Sequence, residues 1–176
     1  MNHRTLRLAF GLSLFSSVLA GQSVPTARSA DVATIDSLIP ALYSVISGPV
    51  GQPRQWDRFL SLMRPEARLI PTRCTNQLPC TLRILTPLDY RQRADSFLVS
   101  SGFVEKEISH RIERFGSIAH VFSTYASYHK RETAPFSRGI NSIQLFWDGQ
   151  RWWVLQIYWD SERDDNPIPA EYLGSP

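Results

Sequence analysis

Three stretches of the chain carry apolar residues at the three- and four-residue steps of a helix with one buried face. The first runs from about Asp31 to Ser47. Pro40 lies inside it, so this helix either begins only a few residues before Pro40 or kinks there. The second is short, with Pro53 near its first turn, and the third runs from the N-cap Thr86 to about Gly102. The pattern therefore predicts three helices.

The other segments show the two-residue alternation of strands. Short strands are predicted at 67–71 and 81–85, and long strands follow Gly102. Asp148 and Gly149 separate the last two apolar strands, which is a strong signal for a hairpin. This order predicts an α+β fold, in which a strongly curved antiparallel sheet carries about three N-terminal and inserted helices on its concave face.

The alternation also assigns side chains to the faces of the sheet. In the first long strand it groups His110 with two isoleucines on one face and places Glu105 and Glu107 on the other. In the next strand His120 and Thr124 share a face. The expected inward residues of these two strands are therefore His110 or His120, together with Thr124.

The aromatic-rich final hairpin is apolar on both faces. A loop of two or four residues places Gln156 on one face and Gln144 and Trp159 on the other, whereas a three-residue loop exchanges the partners. Such a sheet must be covered on both sides, by helices on one and by a partner subunit or the C-terminal tail on the other. The sequence therefore predicts a homodimer that forms through the sheet.

The N-terminus has the features of a secretory signal peptide. Arg4 and Arg7 precede an apolar run from Leu8 to Leu19, and small residues before Gly21 indicate cleavage near Ala20. The run is shorter than the roughly 20 residues that span a bilayer, so no permanent membrane anchor is expected. The predicted organisation is a signal peptide (1–20), a flexible leader (21–30), one domain (31–162) and an extended C-terminal tail (163–176), in an exported protein.

Charge and cysteine content narrow the function classes. The chain has 19 basic and 16 acidic residues, and removal of Arg4 and Arg7 leaves 17 against 16, a net charge of +1. Nucleic-acid binding requires a concentrated basic face, which this mixed pattern lacks. Cys74 and Cys80 are close in sequence and favour a disulfide in an oxidising compartment, contributing about 2 kcal/mol. Neither a metal site nor a bound cofactor is predicted, because no set of Cys and His residues has ligand spacing.

The chain resembles the nuclear transport factor 2-like superfamily, which includes SnoaL-like polyketide cyclases, ketosteroid isomerase and scytalone dehydratase. The segments that carry the resemblance are "WDRFLSLMRPEARLIP", "IAHVFSTY" and "INSIQLFWDGQRWWVLQIYW". The resemblance covers about residues 31–162 and implies a cone-shaped α+β barrel with a cavity between helices and sheet. It identifies the chain as an exported bacterial member without an assigned function, since members range from enzymes to binding and assembly modules.

The resemblance also suggests which residues would act in the cone. His120 is the best candidate base, Tyr43 a candidate donor, and Asp160 either orients the histidine or serves as the base itself. The alternative for His120 is a hydrogen-bonded core residue, and for Tyr43 it is packing with a satisfied hydroxyl. The expected ligand-binding residues are Trp56, Thr124, Gln144, Gln156 and Trp159.

Three functions remain open from the sequence. The first is binding of a small, partly apolar or aromatic ligand in an aromatic-lined cavity. The second is a cofactor-free lyase or isomerase that uses a histidine base. The third is a dimeric structural or assembly module whose cone is filled by its own side chains.

Overall fold

The computed structural model describes residues 24–75, 78–129 and 132–174. The helices are α1 (Ser29–Val32), α2 (Ile35–Ile46), α3 (Trp56–Leu62) and α4 (Pro87–Ser101). The strands are β1 (Met63–Thr75), β2 (Leu78–Leu82), β3 (Phe103–Phe115), β4 (Ile118–His129), β5 (Ser137–Trp147) and β6 (Trp152–Ser161), and one 3₁₀ turn, Ala170–Tyr172, follows. The predicted signal peptide, 1–20, lies outside the described residues. Within the described ranges, no helix is both long and apolar enough to cross a membrane.

The beginning of α2 is fixed by a reciprocal cap. The Thr34 hydroxyl accepts a hydrogen bond from the backbone N–H of Ser37, and the Ser37 hydroxyl accepts one from the backbone N–H of Thr34. The helix therefore starts a few residues before Pro40, as one of the two sequence alternatives required. Pro40 is exposed, and the opposite face of α2 is buried in the core.

The α+β class is confirmed, with a sheet that differs from the expected one in two respects. The strand order is β2-β1-β6-β5-β4-β3, so the sheet is open rather than closed into a barrel. It is mixed rather than antiparallel, because β1 pairs with β6 in parallel, with Arg68 opposite Gln156 and Leu69 opposite Ile157. Pairing between strands so far apart in sequence leaves no local hairpin signal, whereas every other pair is antiparallel.

Two irregularities in the sheet change which side chains point inward. In β3, Glu107 lies opposite Tyr125 but Ser109 lies opposite Thr124, so Ile108 is an extra, bulged residue. The alternation reverses there, and Glu105 and Glu107 share the inner face with the residues of His110 parity. The expectation that the glutamates lie opposite His110 is therefore wrong, because a bulge leaves the hydrophobic pattern intact while it shifts the register.

The final hairpin contains the second irregularity. Trp147 pairs with Trp152 across a four-residue loop, as one predicted register required. Gln144 then pairs with Gln156 and Leu145 with Val154, so Leu155 is skipped. Beyond it the alternation reverses, and Trp159 joins the inner face instead of the face of Gln144.

The helices pack on the inner face, and the C-terminal segment covers part of the outer face. The core includes Leu38 of α2, Leu62 of α3 and Ile143 of β5, all almost fully buried. On the outer side the Thr124 hydroxyl donates a hydrogen bond to the carbonyl of Tyr172 at 2.6 Å, and Ile168 is buried. The tail therefore supplies one of the two predicted covers, and the homodimer stays a prediction.

The predicted disulfide is present in the structure. Cys74 and Cys80 are bonded and join the ends of β1 and β2 at the edge of the sheet. This edge is separate from the core, so the crosslink restrains the β1–β2 hairpin rather than the helical layer.

Candidate functional site

A cavity of about 270 Å³ lies between the helices and the inner face of the sheet. Its walls are mainly aromatic and aliphatic, with few polar groups. The aromatic lining residues are Tyr43, Phe59, Tyr90, Phe97, Phe103, Tyr125, Phe136 and Trp159. The aliphatic ones are Leu42, Ile46, Leu69, Ala94, Leu98, Ile143 and Ile157, and the polar ones are Glu105, Ser127, Ser137, Asn141 and Ser161. The cone is therefore not filled by the side chains that line it.

Glu105 brings a carboxyl group into this cavity. The Ser127 hydroxyl, directly across the β3–β4 ladder, donates to its Oε2 at 2.7 Å. The backbone of Glu105 is held by Ser47 at the end of α2, whose hydroxyl accepts from the Glu105 N–H at 2.9 Å. Ser47 also donates to the carbonyl of Tyr43 at 2.7 Å, so one serine fixes β3 against the helix that carries Tyr43.

The electrostatic environment of Glu105 is unusual for a carboxyl group. Burial raises the pKa of Glu105 to about 7, and the hydrogen bond from Ser127 offsets only part of that increase. The carboxyl therefore changes its charge near neutral pH, which allows it to accept or donate a proton there.

A second polar group in the cavity wall is the Tyr43 hydroxyl, which belongs to a chain of hydrogen bonds. Ser123 donates to Glu107 Oε1 at 2.5 Å, and the Tyr43 and Ser123 hydroxyls are 2.6 Å apart. Because a serine hydroxyl has one hydrogen, Tyr43 must donate to Ser123. Asn141 donates to the Tyr43 oxygen at 3.1 Å, and His110 Nδ1 lies 3.1 Å from Glu107 Oε2 at the outer end of the chain.

This chain determines what Tyr43 can do. Its hydrogen is taken up by Ser123, so Tyr43 has none left to donate to a molecule in the cavity. Burial raises the pKa of Tyr43, which keeps the phenol protonated. Tyr43 therefore acts first as a packing and network residue in this arrangement.

Tyr90 differs from Tyr43 in its hydrogen bonding. It lines the cavity from α4, and its ring is stacked on Phe59 at a centroid distance of 5.6 Å and lies edge-on to Trp159 at 6.2 Å. Among the described residues, its hydroxyl has no hydrogen-bond partner. Burial raises the pKa of Tyr90, with Glu105 as the next cause, so a protonated donor is available near the carboxyl.

The structure places three of the predicted residues on the inner side. Tyr43 and Trp159 line the cavity, as expected from the sequence. Trp56 is buried one layer behind the wall, where its Nε1 donates to Asp95 Oδ1 at 2.6 Å and its ring packs edge-on against Phe59.

Four predicted residues lie on the outer face and do not meet Tyr43. His120 is opposite Gln144 in the β4–β5 ladder, and its Nε2 is 2.9 Å from the Ser142 hydroxyl. Gln144 and Gln156 are paired with each other on that face, and Thr124 is covered by the tail. The expectation that these side chains converge in the cavity is therefore not met, because the polar set Ser123, Tyr125 and Ser127 occupies the inner side of β4.

Asp160 is the third predicted catalytic candidate, and it lies in an outer cluster of charges. Both of its carboxylate oxygens accept from Arg163 Nη1, at 2.8 and 2.9 Å, and Oδ1 accepts from the Thr72 hydroxyl at 2.8 Å. Burial raises the pKa of Asp160, but the bonds from Arg163 and Thr72 more than offset this and lower it overall. The group is thus held as an anion that anchors the start of the tail.

Sequence analysis missed Glu105, Ser127 and Tyr90 as cavity residues. A signal was present in β4, where Ser123, Tyr125 and Ser127 alternate on one face. Small hydroxyl residues beside a tyrosine leave space, which a packed core does not. Within residues 24–75, 78–129 and 132–174, no three His, Cys, Asp or Glu side chains are grouped as metal ligands.

The chain matches no protein-family model and no curated protein. It is similar to three solved structures. One is a protein of unknown function with a cystatin-like fold from Nostoc punctiforme (TM-score 0.56, 9% identity, 74% of this chain and 90% of that one). The second is LinA (0.54, 10%, 82% and 93%) and the third a putative ketosteroid isomerase from Parabacteroides distasonis (0.51, 10%, 81% and 98%).

These similarities extend over most of the chain at identities that show the fold alone. The chain therefore has the nuclear transport factor 2-like fold, as the sequence resemblance predicted. The chemistry performed in that fold must be inferred from the cavity of this chain.

Proposed function

We propose that this chain binds a small, mostly apolar organic molecule in the cavity between its helices and sheet. The observation that carries the proposal is a single carboxyl group, Glu105, exposed to an otherwise aromatic and aliphatic space of about 270 Å³. Binding sites for small molecules combine such apolar walls with a few polar groups that fix the orientation of the ligand.

The polar groups that would orient the ligand are those with unused hydrogen-bonding capacity. Ser127 occupies Oε2 of Glu105, while the other oxygen accepts no hydrogen bond from the described residues. The Tyr90 hydroxyl, on the α4 side, is similarly unused. A ligand with one polar end would satisfy both groups and leave its apolar part against Phe59 and Trp159.

We also propose that the protein acts outside the cytoplasm. The Cys74–Cys80 disulfide is consistent with an oxidising compartment, and the signal-peptide pattern before Gly21 is the route that the sequence predicts.

Filling the cavity tests the binding proposal. In Ala94→Phe, a ring from α4 enters the cavity, whereas Ser96→Phe adds the same ring at an exposed position of the same helix. Isothermal titration calorimetry with 2-phenylethanol should show saturable binding to the parent protein and to Ser96→Phe, and at least tenfold weaker binding to Ala94→Phe. Equal affinity for Ala94→Phe would mean that the ligand binds elsewhere, and absence of binding to the parent protein would contradict the proposal.

A further inference from the structure

The charge distribution around the cavity is asymmetric. Glu105 is the only lining residue that carries an acidic group, and the described lining contains no Lys, Arg or His. The hydrogen bond from Ser127 is neutral and leaves one carboxyl oxygen without a partner among the described residues. The protein thus supplies a negative charge to this space and, from the part of the chain described, no positive one.

The rings near Glu105 provide a second feature of the same kind. Tyr43 from α2, Tyr90 from α4 and Tyr125 from β4 are all close enough for the Glu105 charge to raise the pKa of their phenols. The faces of aromatic rings attract cations, and the attraction increases where water is excluded. A carboxyl group within a set of aromatic rings is the arrangement that favours an organic cation.

We propose that the cavity takes a small organic amine in its ammonium form, with Glu105 as the counter-ion and the surrounding aromatic rings as the walls for its hydrocarbon part. This inference rests on the proposed binding function and names the chemical class of the ligand. The ammonium donates to the free oxygen of Glu105, and the Tyr90 oxygen accepts a further hydrogen from it.

The free energy of this pairing comes from removing an unfavourable state of the empty site. A carboxylate without a counter-charge is costly in an apolar cavity, so Glu105 holds its proton up to about pH 7. When the ammonium enters below that pH, the carboxyl releases its proton to solvent and the ion pair forms. A ligand carboxylate would meet repulsion in the same place, and a neutral alcohol would gain only a hydrogen bond.

The pH dependence follows from the groups that face Glu105. Tyr43, Tyr90 and Tyr125 stay protonated near neutrality because burial raises the pKa of each phenol. Glu107, on the same strand, is hydrogen-bonded to Ser123. Glu105 is therefore the group that changes charge, and amine affinity should increase by about tenfold from pH 6 to pH 8.

Three probes of similar size test the inference by calorimetry at pH 6 and pH 8. They are 2-phenylethylamine, 2-phenylethanol and 3-phenylpropanoate. The protein should bind the amine at least tenfold more tightly than the alcohol at pH 8, and 3-phenylpropanoate least of all. Titrations at pH 6 in buffers of different ionisation enthalpy should show release of up to one proton per amine bound.

The variant Glu105→Gln keeps the shape of the site and removes the charge. It should lose the preference for the amine while alcohol binding stays within about twofold, and Glu66→Gln, at an exposed carboxyl on β1, should match the parent protein. Equal binding of amine and alcohol by the parent protein, or an unchanged amine preference in Glu105→Gln, would overturn the inference and leave the binding function standing. If none of the three probes binds, both the inference and the binding function fail.

Discussion

Two glutamates of this chain have opposite environments on the two sides of one sheet. Glu105 faces the cavity, where burial raises its pKa to about 7. Glu162 follows β6 on the outer side, where Arg138 donates to both of its oxygens, at 2.7 and 3.0 Å. Those bonds hold the pKa of Glu162 below its usual value.

The difference separates charges that hold structure from a charge that is available to a ligand. On the outer side, each acid of the cluster has its guanidinium: Glu162 has Arg138 and Asp160 has Arg163. Glu162 also accepts from the backbone N–H of Ile168, so this pairing fixes the path of the tail. The inner acid has only Ser127, which leaves its charge uncompensated until a ligand arrives.

The largest expected effect comes from removing the inner charge. In the unfolded chain a glutamate loses its proton near pH 4.5, whereas folded Glu105 keeps it to about pH 7. Folded protein therefore binds more protons than unfolded protein in this window, and stability decreases from pH 4.5 to pH 7 by about 3 kcal/mol. Glu105→Gln should lack this decrease.

Urea unfolding at pH 4, 5, 6, 7 and 8 measures that difference. Glu105→Gln should gain about 3 kcal/mol over the parent protein between pH 4 and pH 8, most of it below pH 7. Glu66→Gln serves as the control with no such gain. A constant difference between Glu105→Gln and the parent protein across the series would show that the inner acid is not destabilised by burial.

A smaller effect is expected at Gly139, where the two regions meet. A Cβ at this position would collide with the carbonyl oxygen of Asp160 and would lie 2.5 Å from the Tyr125 hydroxyl. Gly139→Ala should therefore destabilise the protein by about 2 kcal/mol through overpacking. Because Tyr125 lines the cavity, the same variant should weaken binding of 2-phenylethanol.

Urea unfolding and calorimetry on the same sample check both effects of Gly139→Ala. Gly116→Ala is the comparison, since its Cβ meets open space and adds only the strain of a left-handed turn. Binding that is reduced in Gly139→Ala and unchanged in Gly116→Ala would tie the effect to Tyr125. Unchanged binding in both variants would show that the two regions are independent.

The smallest effect is expected on the outer side. Glu162→Gln should lower the free energy of unfolding by about 1 kcal/mol at pH 7, since the pair with Arg138 is partly exposed. The pKa of Glu162 is lowered in the folded state, so its contribution is present above pH 4.5 and is lost as the pH falls below that value. The sign is opposite to that at Glu105.

Hydrogen exchange of the tail at pH 7 measures the local part of this effect. Backbone amides near Ile168 should exchange faster in Glu162→Gln, while Glu171→Gln, at an exposed position of the tail, should leave them unchanged. Equal protection in Glu162→Gln and the parent protein would mean that the Arg138 pair does not hold the tail.

Periodicity predicted the helices and the fold class because those depend on local patterns of burial. The helix from Thr86 to Gly102 was recognisable from its cap, and the four-residue loop at Asp148 from its turn residues. The candidate site depended on which face each strand turns inward. A single bulge at Ile108 decides that for Glu105, and no local pattern marks it.

His120 and Ser123 illustrate the same limit on β4. The face with His120, Phe122 and Thr124 has the more apolar and aromatic character, which favoured it as the inner face in sequence analysis. In the structure that face is covered by the tail, through contacts such as Phe122 with Tyr172 at a centroid distance of 5.0 Å. The inner face is the more polar one because a cavity needs hydroxyl groups more than it needs bulk.

The parallel pairing of β1 with β6 has a consequence for how the chain folds. Arg68 meets Gln156, 88 positions later along the chain, so closing this contact carries a large loop entropy and depends on the intervening elements being in place. Pairings of such high sequence separation are associated with slow folding. Trp159, on β6, completes the cavity wall, so the binding site should be among the last parts of the molecule to mature during refolding, after the β3–β4 hairpin has already presented Glu105.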